Sequence, residues 1–356
     1  MTWLSNMRLC VAFCFAALFV SIVSQICYAY LDLGRNSFMG HLTRRMLDIK
    51  DISPTFDFRH VRWLNPGNSS EFCPDVTVNS KYAFVTYVGL NEAVSKDVRW
   101  YLFSAAKLAQ SILYYTKKYD IIMMVAQDDG MTLSDLDLEL ILTSGWQLCY
   151  VPSISSSLNY HNRFHDAKIY TKFHVWRLKE YEAVVAIDSD MYAVGDPSYV
   201  FQKIWPDMVA SNLTFGMGVD YPLWSAPRPL WQIMIGRCVP SRSDFNGGLF
   251  VLQPSISTFN ALVSMINTDT YDLEMCEQGL LNAYFQNKTY VLPFALNVNV
   301  VTKACAPDLF HGSEKTFIHF TVAKPWKTSI LAKDFMWTCP WWGLTEECES
   351  WMAQWH

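Results

Sequence analysis

The stretch Ala183-Val184-Val185-Ala186-Ile187-Asp188-Ser189-Asp190 constrains this chain more than any other. An apolar, β-branched run ends in two acidic residues one position apart. Such a run is what a strand covered on both faces of a parallel sheet requires. Side chains alternate along an extended chain, so Asp188 and Asp190 can point the same way. The carboxyl end of a buried strand is where open α/β sheets bind ligands. Two carboxylates are hard oxygen donors suited to Mg²⁺ or Mn²⁺. The plain alternative is a strand followed by a polar turn.

The flanking periodicity supports a sheet. Strands are predicted at 82–88, 120–126 and 146–151, alternating with helical spacing over 91–118, 134–143 and 168–181. Further on, FNGGLFVLQ (245–253) reads as a strand entered through Asn-Gly-Gly, followed by helices at 255–266 and 274–285 and a short strand at 317–320. This alternation predicts an α/β fold around a mostly parallel sheet with helices on both faces. A net charge of −5 with no basic stripe argues against nucleic acid as a partner. Ten cysteines without a CxxC pair argue against a zinc knuckle.

The segment 9–31 carries no charge and is long enough to cross a bilayer as a helix. It exceeds a usual signal-peptide core, so it reads as an uncleaved anchor, with Cys27-Tyr28-Ala29 as the alternative cleavage site. Arg35, Arg44 and Arg45 after the span, against Arg8 before it, favour a cytoplasmic body. Sequons at Asn68, Asn212 and Asn287 point instead to the lumen. The expected order is a tail at 1–8, the anchor at 9–31, a stem at 32–80, a catalytic domain at 81–330 and a tryptophan-rich tail at 331–356. The tail's indoles suit an acceptor sugar, a membrane interface or packing on the domain.

Each candidate for chemistry has an ordinary reading beside it. His319 lies between apolar neighbours as a core histidine would, or is a nitrogen ligand that tilts a carboxylate site toward Mn²⁺. Lys324, beside Pro325-Trp326, is a turn lysine or a fixed positive charge over a phosphate. Lys172 reads by default as a solvated helix lysine. Asn246-Gly247-Gly248 forms a plain turn, or uses its glycines for positive φ and close approach to a ligand. Gly279 sits mid-helix at a cost of about 1 kcal/mol against alanine, which close packing or a ligand would explain. No GxSxG elbow, Walker loop or HExxH motif is present. A strand ending in Asp-x-Asp also opens the haloacid dehalogenase-like phosphohydrolases. Tyr192, however, stands where that pattern has Thr or Val, and three predicted strands come first.

In order, AFVTYVGLNEA, YTKFHVW, AIDSD, FNGGLFVLQPS, EQGLLNAYF and IHF with KPW resemble glycosyltransferase family 8, the glycogenin-like group, over 83–326. The resemblance implies a GT-A fold with a Rossmann-like sheet. It also implies Mn²⁺-dependent, retaining transfer of a hexose-type sugar from a UDP-sugar, with Mg²⁺ the less favoured ion. It places Asp188, Asp190 and His319 on the metal, Ser189 at the donor, and Lys172 and Lys324 on the donor's phosphates. Thr86, Tyr87 and Asn91 fall on the uridine pocket. Asn246 and Gly248 line the sugar site, and Glu274, Glu277 and Gln278 lie beneath the transferred sugar. The implied mechanism is front-face attack, in which the departing phosphate takes the acceptor's proton and Gln278 or Glu277 stabilises positive charge on the sugar.

The sequence departs from the family at Glu277, where Asp is usual, and at Gly247, where a small hydroxylated residue or Ala is common. Its interval from His319 to Lys324 is a residue shorter than in glycogenin. With an anchor, the resemblance suggests a single-pass Golgi or ER membrane protein with a lumenal catalytic domain, secreted if the segment is cleaved, in which disulfides can form. The acceptor would be a carbohydrate, glycolipid or glycoprotein; a homodimer is left open. An inactive sugar- or partner-binding member is the alternative, against which the intact Asp188, Asp190, His319 and Lys324 speak.

Overall fold

The computed structural model describes residues 68–89, 96–127, 133–158, 168–221, 244–302 and 306–321. A short antiparallel pair, β1 (Asn68–Ser69) and β2 (Thr77–Val78), comes first. Then follow β3 (Tyr82–Gly89), α1 (Lys96–Tyr115), β4 (Asp120–Gln127), α2 (Asp135–Thr143) and β5 (Gln147–Pro152). A 3₁₀ helix, Ile169–Arg177, leads into β6 (Ala183–Asp188) and β7 (Met191–Ala193). Next come α3 (Trp205–Ala210), β8 (Phe215–Val219), β9 (Phe245–Leu252), α4 (Ile256–Met265) and α5 (Cys276–Tyr284). Last are β10 (Tyr290–Leu292), β11 (Val298–Asn299), α6 (Pro307–Gly312) and β12 (Phe317–His319).

Seven strands form the main sheet in the order β10-β8-β9-β6-β3-β4-β5, and β11-β12-β7 form a second, three-stranded one. β6, β3, β4 and β5 run parallel, as do β8 and β10, while β9 runs antiparallel to both β6 and β8. The sheet is mixed and mostly parallel, with both faces covered, as expected of a GT-A fold. Along β6, Val185 and Ile187 join the core cluster that holds Leu102 and Trp205, while Val184 and Ala186 join the one that holds Trp176 and Leu280. Two-sided burial accounts for the unbroken apolar run.

Several expectations change. β6 ends at Asp188, and Asp190 stands on the turn into β7, so the two aspartates do not share a strand face. The helix expected over 168–181 is a 3₁₀ helix from Ile169 to Arg177. Its largest side chains, Tyr170, Phe173 and Trp176, recur every third residue and are at most 1% exposed. That spacing keeps one face in register on a three-residue turn. Within the expected stem, residues 68–80 are folded: Val76 is fully buried, and Cys73 is bonded to Cys149 on β5. A cross-link over 76 residues stabilises by about 4 kcal/mol through loop closure. The expected anchor (9–31) and tail (331–356) lie outside the described residues, and among the described residues no helix is long and apolar enough to cross a membrane.

Candidate active site

Three hydrogen bonds hold the turn after β6. Thr86 Oγ1 donates to the Ile187 carbonyl at 2.9 Å, Ser104 Oγ donates to that of Ser189 at 2.5 Å, and the Phe320 N–H donates to that of Asp190 at 3.1 Å. β12 lies antiparallel to β7 with His319 opposite Met191, which brings the imidazole to the turn. Asp188, Asp190 and His319 each offer one ligand atom, all within 4.8 Å of one another. His319 Nε2 is 3.7 Å from Asp188 Oδ2 and 3.5 Å from Asp190 Oδ1. His319 Nδ1 lies 2.9 Å from Asn297 Oδ1, an acceptor, and Nε2 is the ring nitrogen that faces the two carboxylates. A ring nitrogen and two carboxylates converging on one point suit a cation. The set of two hard oxygens and one imidazole fits Mn²⁺ or Mg²⁺.

Lys172 is not solvated. It is buried on the 3₁₀ helix, with Nζ 2.5 Å from Asp188 Oδ1 and 3.0 Å from Glu277 Oε1. Burial pulls its pKa down, but the two carboxylates more than offset this and leave it above the ordinary value, hence charged. Burial pushes the Asp188 carboxyl up, Lys172 pulls it back, and Asp190 pushes it up again. Glu277 Oε2 is buried without a hydrogen-bond partner among the described residues.

On the other side of His319 the strand-opening Asn246-Gly247-Gly248 carries the sugar-site candidates. Neither glycine takes a positive φ; among the described glycines only Gly145 does. Gly248 is needed for another close approach: a Cβ there would lie 2.1 Å from His319 Cε1. Gly279 likewise answers to packing, since its Cβ would meet the Asp272 carbonyl oxygen at 2.0 Å. Asn246 Nδ2 and Gln278 Nε2 donate to the two oxygens of Asp220 at 3.2 and 3.1 Å.

Asp220 and Asn297 are residues that sequence reasoning missed. Asp220 follows the strand FGMGV and so repeats the pattern of an acidic residue after a buried strand, masked by two glycines. Nothing in the sequence around Asn297 marks it.

Thr86, Tyr87, Lys172 and Asp188 line one small cleft with Val85 and Phe250. The Thr86 hydroxyl is engaged by Ile187, and the Tyr87 hydroxyl donates to the Lys168 carbonyl at 3.2 Å. Ser189 is buried and held through its carbonyl. Glu274 is exposed on the turn Leu273–Met275, where its N–H donates to Asp272 Oδ1. Asn91 and Lys324 lie outside the described residues.

The sequence has relatives among known proteins. Mouse glycogenin-1 is 28% identical over 164 residues, 44% of this chain and 41% of that protein. Tomato (Solanum lycopersicum) galactinol synthase 1 is 24% identical over 266 residues, 70% of this chain and 74% of its own length. The Arabidopsis thaliana UDP-glucuronate:xylan alpha-glucuronosyltransferase 2 is 25% identical over 203 residues, 57% of this chain; the match spans only 27% of that relative. The family model for glycosyl transferase family 8 matches residues 98–329, well over half of the sequence, and the chain therefore belongs to glycosyl transferase family 8.

Proposed function

We propose that this protein is a Mn²⁺-dependent retaining hexosyltransferase that takes its sugar from a UDP-sugar and passes it to a carbohydrate, glycolipid or glycoprotein. The observation that carries the reading is the gathering of Asp188, Asp190 and His319 at the carboxyl end of β6, with ligand atoms within 4.8 Å. These three residues would hold the ion, which when bound neutralises charge on the donor's diphosphate as the glycosidic bond breaks. Lys172 fixes the Asp188 carboxylate and adds positive charge beside the cleft. Asp220 and Gln278 orient one another and present polar groups to the sugar.

Retention through a covalent intermediate needs a free carboxylate as nucleophile. We adopt front-face attack, with Glu277, one oxygen paired with Lys172, held as a charge beside the sugar. A glycosyl adduct trapped on Glu277 would overturn that mechanism.

We place the catalytic domain in the lumen of the Golgi or ER, on a single-pass anchor. The Cys73–Cys149 bridge favours an oxidising compartment. Asn212 and Asn287 are exposed on turns before β8 and β10, at the end of the sheet opposite Asp188, where attached glycans would leave the cleft open.

The test is a panel of UDP-sugars with the full chain, with and without Mn²⁺, read as UDP release. Release from at least one donor, dependent on the ion and lost in Asp190→Ala, is the expected result. Release from none, or release undiminished in Asp190→Ala, sinks the reading.

A further inference from the structure

We propose that Asn297 is a positioning residue that sets the tautomer of His319, and that it is held for this by a hydrogen-bonded chain running through Asn246 and Asp220 to Gln278. The inference rests on the metal-dependent reading above and deepens it.

The polarity of the chain is fixed by two backbone groups. The Gly248 N–H donates to Asn246 Oδ1 at 3.0 Å, so Nδ2 is the Asn246 atom that reaches Asp220. The Gly247 N–H donates to Gln278 Oε1 at 2.9 Å, so Nε2 is the Gln278 atom that reaches the other Asp220 oxygen. A backbone N–H can only donate, which removes the end-for-end ambiguity of both side-chain amides.

Asn246 Oδ1 also accepts from Asn297 Nδ2 at 2.9 Å. That turns Asn297 Oδ1 toward His319 Nδ1, and a carbonyl oxygen there can only accept. His319 is left with its proton on Nδ1 and the Nε2 lone pair facing Asp188 and Asp190. The hydrogen bond on one ring nitrogen decides which tautomer the other presents.

The ring has little freedom to do otherwise. Asn297 and His319 are 5% and 3% exposed, so water does not replace a lost partner easily. The ring also lies against Gly248, where even a Cβ would not fit. Outer partners of this kind orient ligands and typically matter by about 10- to 100-fold in metal affinity.

The experiment uses the full chain labelled with ¹⁵N-histidine. The ring nitrogens of His319, assigned by their loss in His319→Gln, are read without metal at a pH where the ring is neutral, and Mn²⁺ binding is titrated separately. Wild type is expected in the Nδ1–H form. Asn297→Ala should shift His319 to Nε2–H and weaken Mn²⁺ by about 10- to 100-fold. Asn297→Asp keeps an acceptor for Nδ1 but loses the donor to Asn246 Oδ1, so it should keep the Nδ1–H form with only part of the affinity.

An Nε2–H ring in wild type, or unchanged Mn²⁺ affinity in a folded Asn297→Ala, overturns the proposal. Should Asn297→Ala fail to fold, an Nε2–H ring in Asn297→Asp overturns it instead. Wild type that binds no Mn²⁺ at all removes the functional reading, while the tautomer measurement still judges Asn297 by itself.

Discussion

Both ends of the main sheet bury carboxylates, and they treat them in opposite ways. At the amino end Asp120 opens β4. Its Oδ2 accepts from the N–H groups of Asn79 and Ser80 at 2.9 and 3.1 Å and from the Tyr181 hydroxyl at 3.0 Å. Burial pushes its pKa up, and these donors pull it back. At the carboxyl end Asp188, Asp190 and Glu277 crowd around Lys172 and His319, and one Glu277 oxygen has no partner among the described residues. A carboxylate satisfied by its own chain holds structure. Where the chain gathers acidic oxygens faster than donors, the balance is left for a ligand to supply.

The largest expected effect breaks the comparison at its functional end. Asp190→Ala should lower Mn²⁺ affinity and UDP release by about a hundredfold or more, measured by titration and by UDP detection. Lys172→Met comes next: Asp188 and Glu277 lose the cation between them, and the metal-free protein should lose about 3–5 kcal/mol in urea unfolding. Saturating Mn²⁺ should restore part of that loss. Stability equal to wild type would show that the ion pair holds nothing together.

His174 sharpens the contrast within one element. It stands two residues from Lys172, its Nε2–H donates to the Pro152 carbonyl at 2.9 Å, and its ring stacks between Phe72 and Phe259. Burial is the main cause that pushes its pKa down to about 4; the bond to Pro152 acts the other way, and Arg177 adds to the fall. Between about 4 and the ordinary value of 6.5, the unfolded chain binds a proton that the folded chain refuses. Stability from this group is therefore complete above that window and falls by about 3 kcal/mol as pH drops through it. In His174→Phe this component of the pH dependence of unfolding should vanish.

The smallest effect belongs to the structural end. Asp120→Asn should cost about 2 kcal/mol in urea unfolding and leave Mn²⁺ affinity unchanged. A changed affinity would mean that the two ends are not independent.

Sequence patterns reached the parts of the molecule that repeat locally. β6 was legible because every one of its apolar residues is buried, and His319 because its motif lies in order with the others. What escaped is carried by distance along the chain. Lys172 meets Glu277 105 residues away, Gln278 meets Asp220 across 58, and Asn297 meets Asn246 across 51. No periodicity encodes such pairs. β8 escaped for a different reason. Its Gly216 lets Leu292 and the Tyr290 carbonyl of β10 lie about where a Cβ would press on them, so close strand packing erased the apolar signal.

The contact between Gly248 and His319 has an evolutionary consequence. The site depends there on a missing atom: a methyl group at position 248 would meet the imidazole at 2.1 Å and drive it off its bearing. A descendant of this chain can thus lose the convergence of His319 on Asp188 and Asp190 through one apolar substitution, with every acidic, basic and amide side chain still in place. Judged by its Asp-x-Asp signature, such a protein would pass for an active enzyme.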